Sequence, residues 1–220
     1  YERIAPELEH LYVATDDKRI RQAVRKFGGK VIMTSPDHAS GTDRCREALE
    51  TVSRKTGISF SHVVNIQGDE PLIQPAQIRE LITCFDIPGT DVATLIRPWK
   101  KPEDPGNPDI VKAVIDKNFR ALYFSRAPIP YIRGNEQQNS HERPGSYQHI
   151  GLYAYRSDVL KEICDLPPSL LEKTEMLEQL RWLENEYRIQ TRITDYQSLG
   201  VDTPEDLEKA KALLEQEGHS

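Results

Sequence analysis

Residues 10–17 read His10-Leu11-Tyr12-Val13-Ala14-Thr15-Asp16-Asp17, an apolar run that turns polar within two residues. That is the pattern of a buried strand ending in a loop. From Asp17 onward, Ile20, Ala23, Val24 and Phe27 recur at helical spacing, and Gly28-Gly29 closes the segment as glycine does at helix ends. Val31-Ile32-Met33-Thr34 follows as a second short strand. Strand, helix, strand is a β-α-β unit, which implies parallel strands joined by a crossover helix.

The pattern repeats outward. Ser40 or Thr42 can cap a helix through Cys45, Leu49 and Val52. His62-Val63-Val64-Asn65-Ile66-Gln67 reads as a central strand that stops at Gly68-Asp69-Glu70-Pro71. Residues 77–85 read as helix and 91–96 as strand, and 111–116 with 120–125 form a hairpin turning at Asp116-Lys117-Asn118. Residues 128–147 are rich in Pro, Gly, Asn, Gln and charge; a loop of that length inside a compact domain points to a functional excursion or a subunit contact. Then come a strand (148–155), a helix (157–166), one amphipathic helix (172–185), a strand (189–194) and a last helix (204–217). The expected fold is α/β: a Rossmann-like mixed, mostly parallel sheet flanked by helices, with inserted antiparallel strands. Ligands on such sheets sit beyond the C-terminal strand ends, where Asp16, Asp69 and Glu70 all fall.

Composition narrows the class. With 220 residues, 37% hydrophobic and 29% charged, the chain has the make-up of a globular protein and can bury a core without staples. No apolar run approaches the roughly 18 residues of a membrane span. The net charge of −6 does not advertise nucleic-acid or membrane binding. Cys45, Cys84 and Cys164 form no CxxC pair, so a disulfide framework or zinc site is not expected. A reducing, cytoplasmic setting fits them as small core side chains. Tyr1-Glu2-Arg3-Ile4 carries no signal-peptide pattern and no starting Met.

Three clusters carry chemistry. Gly68-Asp69-Glu70 lies at a strand mouth: the glycine lets a ligand approach the backbone, and the aspartate can hold Mg²⁺, which favours one or two carboxylates plus phosphate oxygens. An ordinary strand-end turn with acids facing water is the plain alternative. Gly200-Val201-Asp202-Thr203-Pro204-Glu205-Asp206 is explained from Thr203 on as a capped helix start, which leaves Asp202 unaccounted for. Ser40-Gly41-Thr42-Asp43-Arg44 is either a helix cap or a set of small hydroxyls suited to the edge of a base.

Taken in order, these segments resemble the CMP-Kdo synthetases, the 3-deoxy-manno-octulosonate cytidylyltransferase family. The likeness runs through Val13-Ala14-Thr15-Asp16-Asp17, Phe27-Gly28-Gly29, Ser40-Gly41-Thr42-Asp43-Arg44 and Asn65-Ile66-Gln67-Gly68-Asp69-Glu70-Pro71. It continues in Tyr123-Phe124-Ser125-Arg126-Ala127-Pro128, His149-Ile150-Gly151-Leu152-Tyr153, Glu175-Met176-Leu177-Glu178-Gln179 and Gly200-Val201-Asp202-Thr203-Pro204. The resemblance implies a single nucleotidyltransferase domain, 1–220. Its first hundred residues serve the nucleotide, 101–200 the sugar and a homodimer contact, and 200–220 return a metal loop and helix.

The implied reaction joins CMP from CTP to the acid sugar Kdo with loss of pyrophosphate, in lipopolysaccharide precursor synthesis. Asp69 and Asp202 would hold Mg²⁺. Ala14, Thr15, Asp16, Ser40, Gly41, Thr42, Arg44 and Gln67 would take the nucleotide. Arg126 would meet the sugar carboxylate, since guanidinium binds carboxylates bidentately, and His149, Tyr153, Glu175 and Gln179 the rest of the sugar.

The family also opens with a strand and a basic, glycine-bearing phosphate loop that these 220 residues do not contain, so a polypeptide of this extent is expected to be inactive or nearly so. Competing readings are a sister CMP-acid-sugar synthetase such as CMP-sialate synthetase, a GT-A-like glycosyltransferase, and an inactive nucleotide-binding fragment. The glycosyltransferase is disfavoured because Gly68-Asp69-Glu70 supplies no Asp-x-Asp.

Overall fold

A computed structural model describes residues 1, 4–100, 103–134, 144–196, 200–201 and 203–217. After a 3₁₀ turn at Ala5–Glu7, the opening unit is β1 (Val13–Thr15), α1 (Lys18–Lys26) and β2 (Val31–Met33), with β1 and β2 parallel as expected. There follow α2 (Gly41–Thr56), β3 (His62–Asn65), α3 (Pro75–Ile82) and β4 (Val92–Arg97). Next are β5 (Lys112–Ile115), β6 (Ala121–Ser125), β7 (Ser146–Arg156) and α4 (Ser157–Cys164). The chain ends with α5 (Leu170–Glu175), α6 (Gln179–Glu184), β8 (Ile189–Ile193) and α7 (Pro204–Glu217).

The large sheet runs β6-β5-β7-β4-β8, with β3 also paired to β7. β3, β4 and β5 each run antiparallel to β7, and β8 runs parallel to β4, so four strands point one way. The expected parallel bias is therefore present in strand direction. Most ladders are nevertheless antiparallel, because β7 lies between strands that would otherwise be neighbours. β1 and β2 pair only with each other among the described residues, and α2 lies against β1, β2 and β3.

β4 is buried along its whole length and carries apolar side chains to both faces, as a central strand must. On one face Val92, Ile96, Phe124, Tyr153, Tyr155, Leu160, Leu180 and Trp182 pack together under α4 and α6. On the other, Ala93, Leu95, Ile150, Leu152 and Ala154 pack with Leu81 and Cys84. The β4–β7 register shifts between Thr94 and Leu95. There the Thr94 hydroxyl lies 3.1 and 2.9 Å from the carbonyls of Ile150 and Leu152, which satisfies groups that the bulge takes out of the ladder.

Two expectations need correction. Residues 172–185 do not form one helix: Met176 adopts a left-handed backbone (φ 53°) and splits the segment into α5 and α6. The apolar pattern spans both halves because both pack on the same core, while hydrogen bonds from Ser125 and Arg126 to Glu175 hold the first half where it stops. On α1 only Val24 is buried, and Ile20 and Phe27 are about half exposed. Phe27 instead leans across Gly29, where a Cβ would meet its ring at 2.5 Å, and against the Tyr1 ring at 5.6 Å.

The three cysteines are free and sit in the packing as expected. Burial pushes the thiols of Cys45 and Cys164 up to about 12 and that of Cys84 to about 11. No helix among the described residues is long and apolar enough to cross a membrane.

Trp182 is 1% exposed and meets the Tyr153 and Tyr155 rings edge-on at 5.2 and 5.6 Å. Trp182→Ala should therefore lower unfolding stability by about 3–5 kcal/mol, whereas Leu122→Ala, at 60% exposure, should stay within about 0.5 kcal/mol. Denaturant midpoints measure both; a Trp182→Ala loss as small as that of Leu122→Ala would contradict this packing.

Candidate active site

The strands β1 and β3 and the first turn of α2 open at a common mouth. Thr15 is buried at the end of β1, with Ala14 partly buried before it and Asp16 exposed after it. The Thr15 hydroxyl accepts from Asp17 N–H at 3.1 Å, and its carbonyl accepts from Thr34 N–H at 3.0 Å. Arg44 ties this edge to α2: its guanidinium lies 3.2 Å from the Asp16 carboxylate and donates to the Thr34 hydroxyl at 2.6 Å. Ser40 is the N-cap of α2, its hydroxyl accepting from Asp43 N–H. A Cβ on Gly41 would meet only the Asn65 amide nitrogen, at 3.8 Å, and one on Gly68 would meet nothing within 4 Å. Neither glycine is required by a neighbouring side chain, and both leave backbone open to a ligand.

Gln67 stands at the exit of β3, where its amide donates to the Gly151 carbonyl on β7 at 3.3 Å. Asp69 follows in a turn closed by Glu70 N–H donating to the Gln67 carbonyl. The Asp69 carbonyl accepts from Val201 N–H at 2.8 Å. That bond brings the returning Gly200-Val201 segment back onto Asp69, just before Asp202. Asp202 itself lies outside the described residues. Among the described residues no group of three or more His, Cys, Asp or Glu could hold a metal. A Mg²⁺ that completes its shell with phosphate oxygens needs only one or two carboxylates, and the donor set at Asp69 fits that chemistry.

The second half of the site lies on β6, β7, α5 and α6. Glu175 accepts from the Ser125 hydroxyl at 2.6 Å and from Arg126 N–H at 2.9 Å. The Arg126 guanidinium donates to the backbone carbonyls of Glu175 (2.9 Å), Pro108 (3.0 Å) and Met176 (3.4 Å). Three of its five N–H groups are thus taken by backbone carbonyls of the described residues.

His149 packs against the Phe124 and Tyr153 rings, and its Nε2 lies 2.9 Å from the Thr94 hydroxyl. The hydroxyl has one proton and two carbonyls in reach, and the arrangement that satisfies most groups has Nε2–H donating to its oxygen. Burial pushes the imidazole pKa down to about 3, so the ring is neutral at physiological pH.

Tyr153 is stacked with Tyr155 at 6.1 Å, and its buried hydroxyl has no partner among the described residues. Gln179 is buried at the first turn of α6.

Two residues passed over in the sequence reading belong here. Asn65 ends β3 beside Gly41. Glu178, within the quoted Glu-Met-Leu-Glu-Gln stretch, accepts from the Thr42 hydroxyl at 2.6 Å and from Arg181 at 3.0 Å. Burial pushes its carboxyl up, opposed by hydrogen bonds from Thr42 and Ser40. No local signal exposes it, because read as one continuous helix residue 178 is an ordinary charged position.

A mouth at the ends of β1 and β3, lined by open glycines and met by a returning segment bonded to Asp69, has the make-up of a nucleotidyltransferase site. A cytidylyltransferase family model matches residues 3–193, and the chain belongs to that family. It is 51% identical to the 3-deoxy-manno-octulosonate cytidylyltransferase of Parabacteroides distasonis, over 97% of this chain and 85% of that one. It is 52% identical to the enzyme of the same name from Bacteroides thetaiotaomicron, with the same coverage. A solved CMP:2-keto-3-deoxy-manno-octonic acid synthetase complexed with CTP superposes with a TM-score of 0.85 at 43% identity, covering 99% of this chain and 86% of that one. A 4-diphosphocytidyl-2C-methyl-D-erythritol synthase from Anaerococcus prevotii shares the fold alone, at 10% identity and a TM-score of 0.57.

The depressed His149 pKa has a clear sign. Its folded value, about 3, lies below the ordinary 6.5, so protonation favours the unfolded chain and stability falls as pH drops from about 6.5 toward 3. Across pH 5–8 the His149 ring nitrogens should show no titration by NMR; a midpoint near 6.5 would contradict the packing around it.

Proposed function

We propose that this chain transfers CMP from CTP to the anomeric hydroxyl of Kdo, forming CMP-Kdo and releasing pyrophosphate. The observation that carries this reading is the bond from Val201 N–H to the Asp69 carbonyl, which returns the segment before Asp202 to the open glycine mouth of β3. The relatives bearing the Kdo enzyme's name, at about half identity over nearly the whole chain, support the choice of sugar.

Asp69 and Asp202 would hold Mg²⁺, which supplies charge neutralisation at the α-phosphate. Ala14, Thr15, Asp16, Ser40, Gly41, Thr42, Arg44 and Gln67 position the nucleotide; small hydroxyls and backbone groups reject the wrong base because its edge leaves buried groups unpaired. The Arg126 guanidinium, fixed in place by three backbone carbonyls, would meet the sugar carboxylate. Nδ1 of His149, held by the Thr94 bond, accepts from a sugar hydroxyl, with Glu175, Gln179 and Tyr153 completing that side. The sugar oxygen forms its bond to the α-phosphorus as the bond to pyrophosphate breaks, and the hydroxyl proton leaves to solvent. Catalysis of this kind is mostly positioning and charge neutralisation.

A second copy of the chain belongs to this reading. Tyr131, Leu170 and Met176 are 75–77% exposed. Such apolar exposure suits a homodimer contact. The expected contact at 128–147 falls partly on 135–143, outside the described residues. A cytoplasmic place in lipopolysaccharide precursor synthesis completes the proposal.

Pyrophosphate release by the full-length protein tests it. Release should need CTP, Mg²⁺ and Kdo together and should fail with UTP or with N-acetylneuraminate in place of Kdo. Release with N-acetylneuraminate but not Kdo would move the protein to the sister enzymes. Asp69→Asn should cut kcat by roughly a hundredfold or more, and near-wild-type turnover would remove Asp69 from the metal site.

A further inference from the structure

The nucleotide and sugar halves of the mouth are built on different elements. The first rests on β1, β3 and the start of α2, the second on β6, β7 and the α5–α6 elbow. Glu178 joins the start of α2 to the α5–α6 pair: its Oε2 accepts from Thr42 Oγ1 at 2.6 Å, and Ser40 bonds the same carboxyl. Thr42 is 3% exposed and sits within the first turn of α2, two residues after the capping Ser40.

The other Glu178 oxygen is also engaged. Arg181 donates to Oε1 at 3.0 Å, places its Nε 3.2 Å from the Glu172 carboxylate on α5, and donates to the Leu166 carbonyl at 2.9 Å. One carboxylate and one guanidinium therefore lock α6 to α5 and to the chain before it. The elbow between them, Met176 to Glu178, contains a left-handed residue. On its two sides it carries Glu175, which receives Ser125 and Arg126, and Gln179, buried in the first turn of α6. With both oxygens of Glu178 committed inside the protein, the residue serves better as a strut than as a ligand.

We propose that Glu178 is a positioning residue that couples the two halves: through Thr42 it holds the α5–α6 elbow, with Glu175 and Gln179, in the place set by the nucleotide-binding turn. This rests on the reading of the site given under Proposed function. Loss of the strut would loosen the sugar side and leave the nucleotide side nearly intact, because Ser40, Arg44 and Gln67 have anchors of their own.

The test is steady-state kinetics of the full-length protein with CTP, Kdo and Mg²⁺. Glu178→Ala should raise KM for Kdo about tenfold while KM for CTP changes less than about threefold. Glu178→Gln, whose amide oxygen still accepts from Thr42, should recover most of the loss. If Glu178→Ala does not fold, Thr42→Val breaks the same bond from the other side and should raise KM for Kdo, with Thr42→Ser restoring it. The double variant Glu178→Ala/Thr42→Val should show the Kdo KM of Glu178→Ala alone, because the bond is already gone.

An unchanged Kdo KM in folded Glu178→Ala, a parallel rise of both KM values in that variant, or additive effects on the Kdo KM in the double variant would each overturn the coupling. No turnover of CTP and Kdo by the wild type would instead overturn the underlying assignment and this inference with it.

Discussion

β7 is hydrogen-bonded along both edges, and the mouth depends on where it lies. β4 takes one edge from Gln148 to Tyr155, while β5 and β3 share the other, β5 at its start and β3 at its end. His149, Tyr153 and Tyr155 therefore face the core under α4 and α6, while Ile150, Leu152 and Ala154 face α3. A slip of one residue would exchange these sets. It would drive tyrosine rings into a layer that fits Ala93, Leu95 and Leu81, so register is fixed by side-chain size as well as by the ladder. The bulge at Thr94 lies where this strand meets the site, with Gln67 reaching Gly151 from one side and His149 bonding Thr94 from the other.

From that strand the site is assembled by borrowed anchors. Backbone carbonyls orient Arg126, a threonine hydroxyl holds the His149 ring, and an aspartate carbonyl receives the returning segment at Val201. These polar anchors restrict the functional side chains to few arrangements. Binding can then draw on geometry already present, which lowers the ordering cost of association.

Much of this was visible in the residues alone. Strand mouths showed because apolar runs stop abruptly at Asp16 and at Gly68-Asp69, and Ser40 capped its helix as its chemistry suggested. The split at Met176 was not visible. Methionine is a good helix former, and the break is imposed by Ser125 and Arg126, some fifty residues away. Likewise the sequence offers Arg126 as a cation but not the three carbonyls that hold it, and Glu178 as a helix charge but not the threonine it meets across the fold. Long-range hydrogen bonds decide these cases, and a linear pattern does not contain them. The α1 face failed for a related reason: helical spacing says which side chains share a face, not whether anything covers it.

The central claim is that the sugar oxygen attacks the α-phosphorus of CTP. It is tested most directly with Kdo labelled with ¹⁸O at the anomeric hydroxyl, followed by mass spectrometry of both products. The account predicts that the label is retained in the CMP-Kdo bridge and absent from pyrophosphate. Unlabelled CMP-Kdo would mean that the sugar's anomeric bond, not the phosphoanhydride, is the one broken, and the account would be wrong.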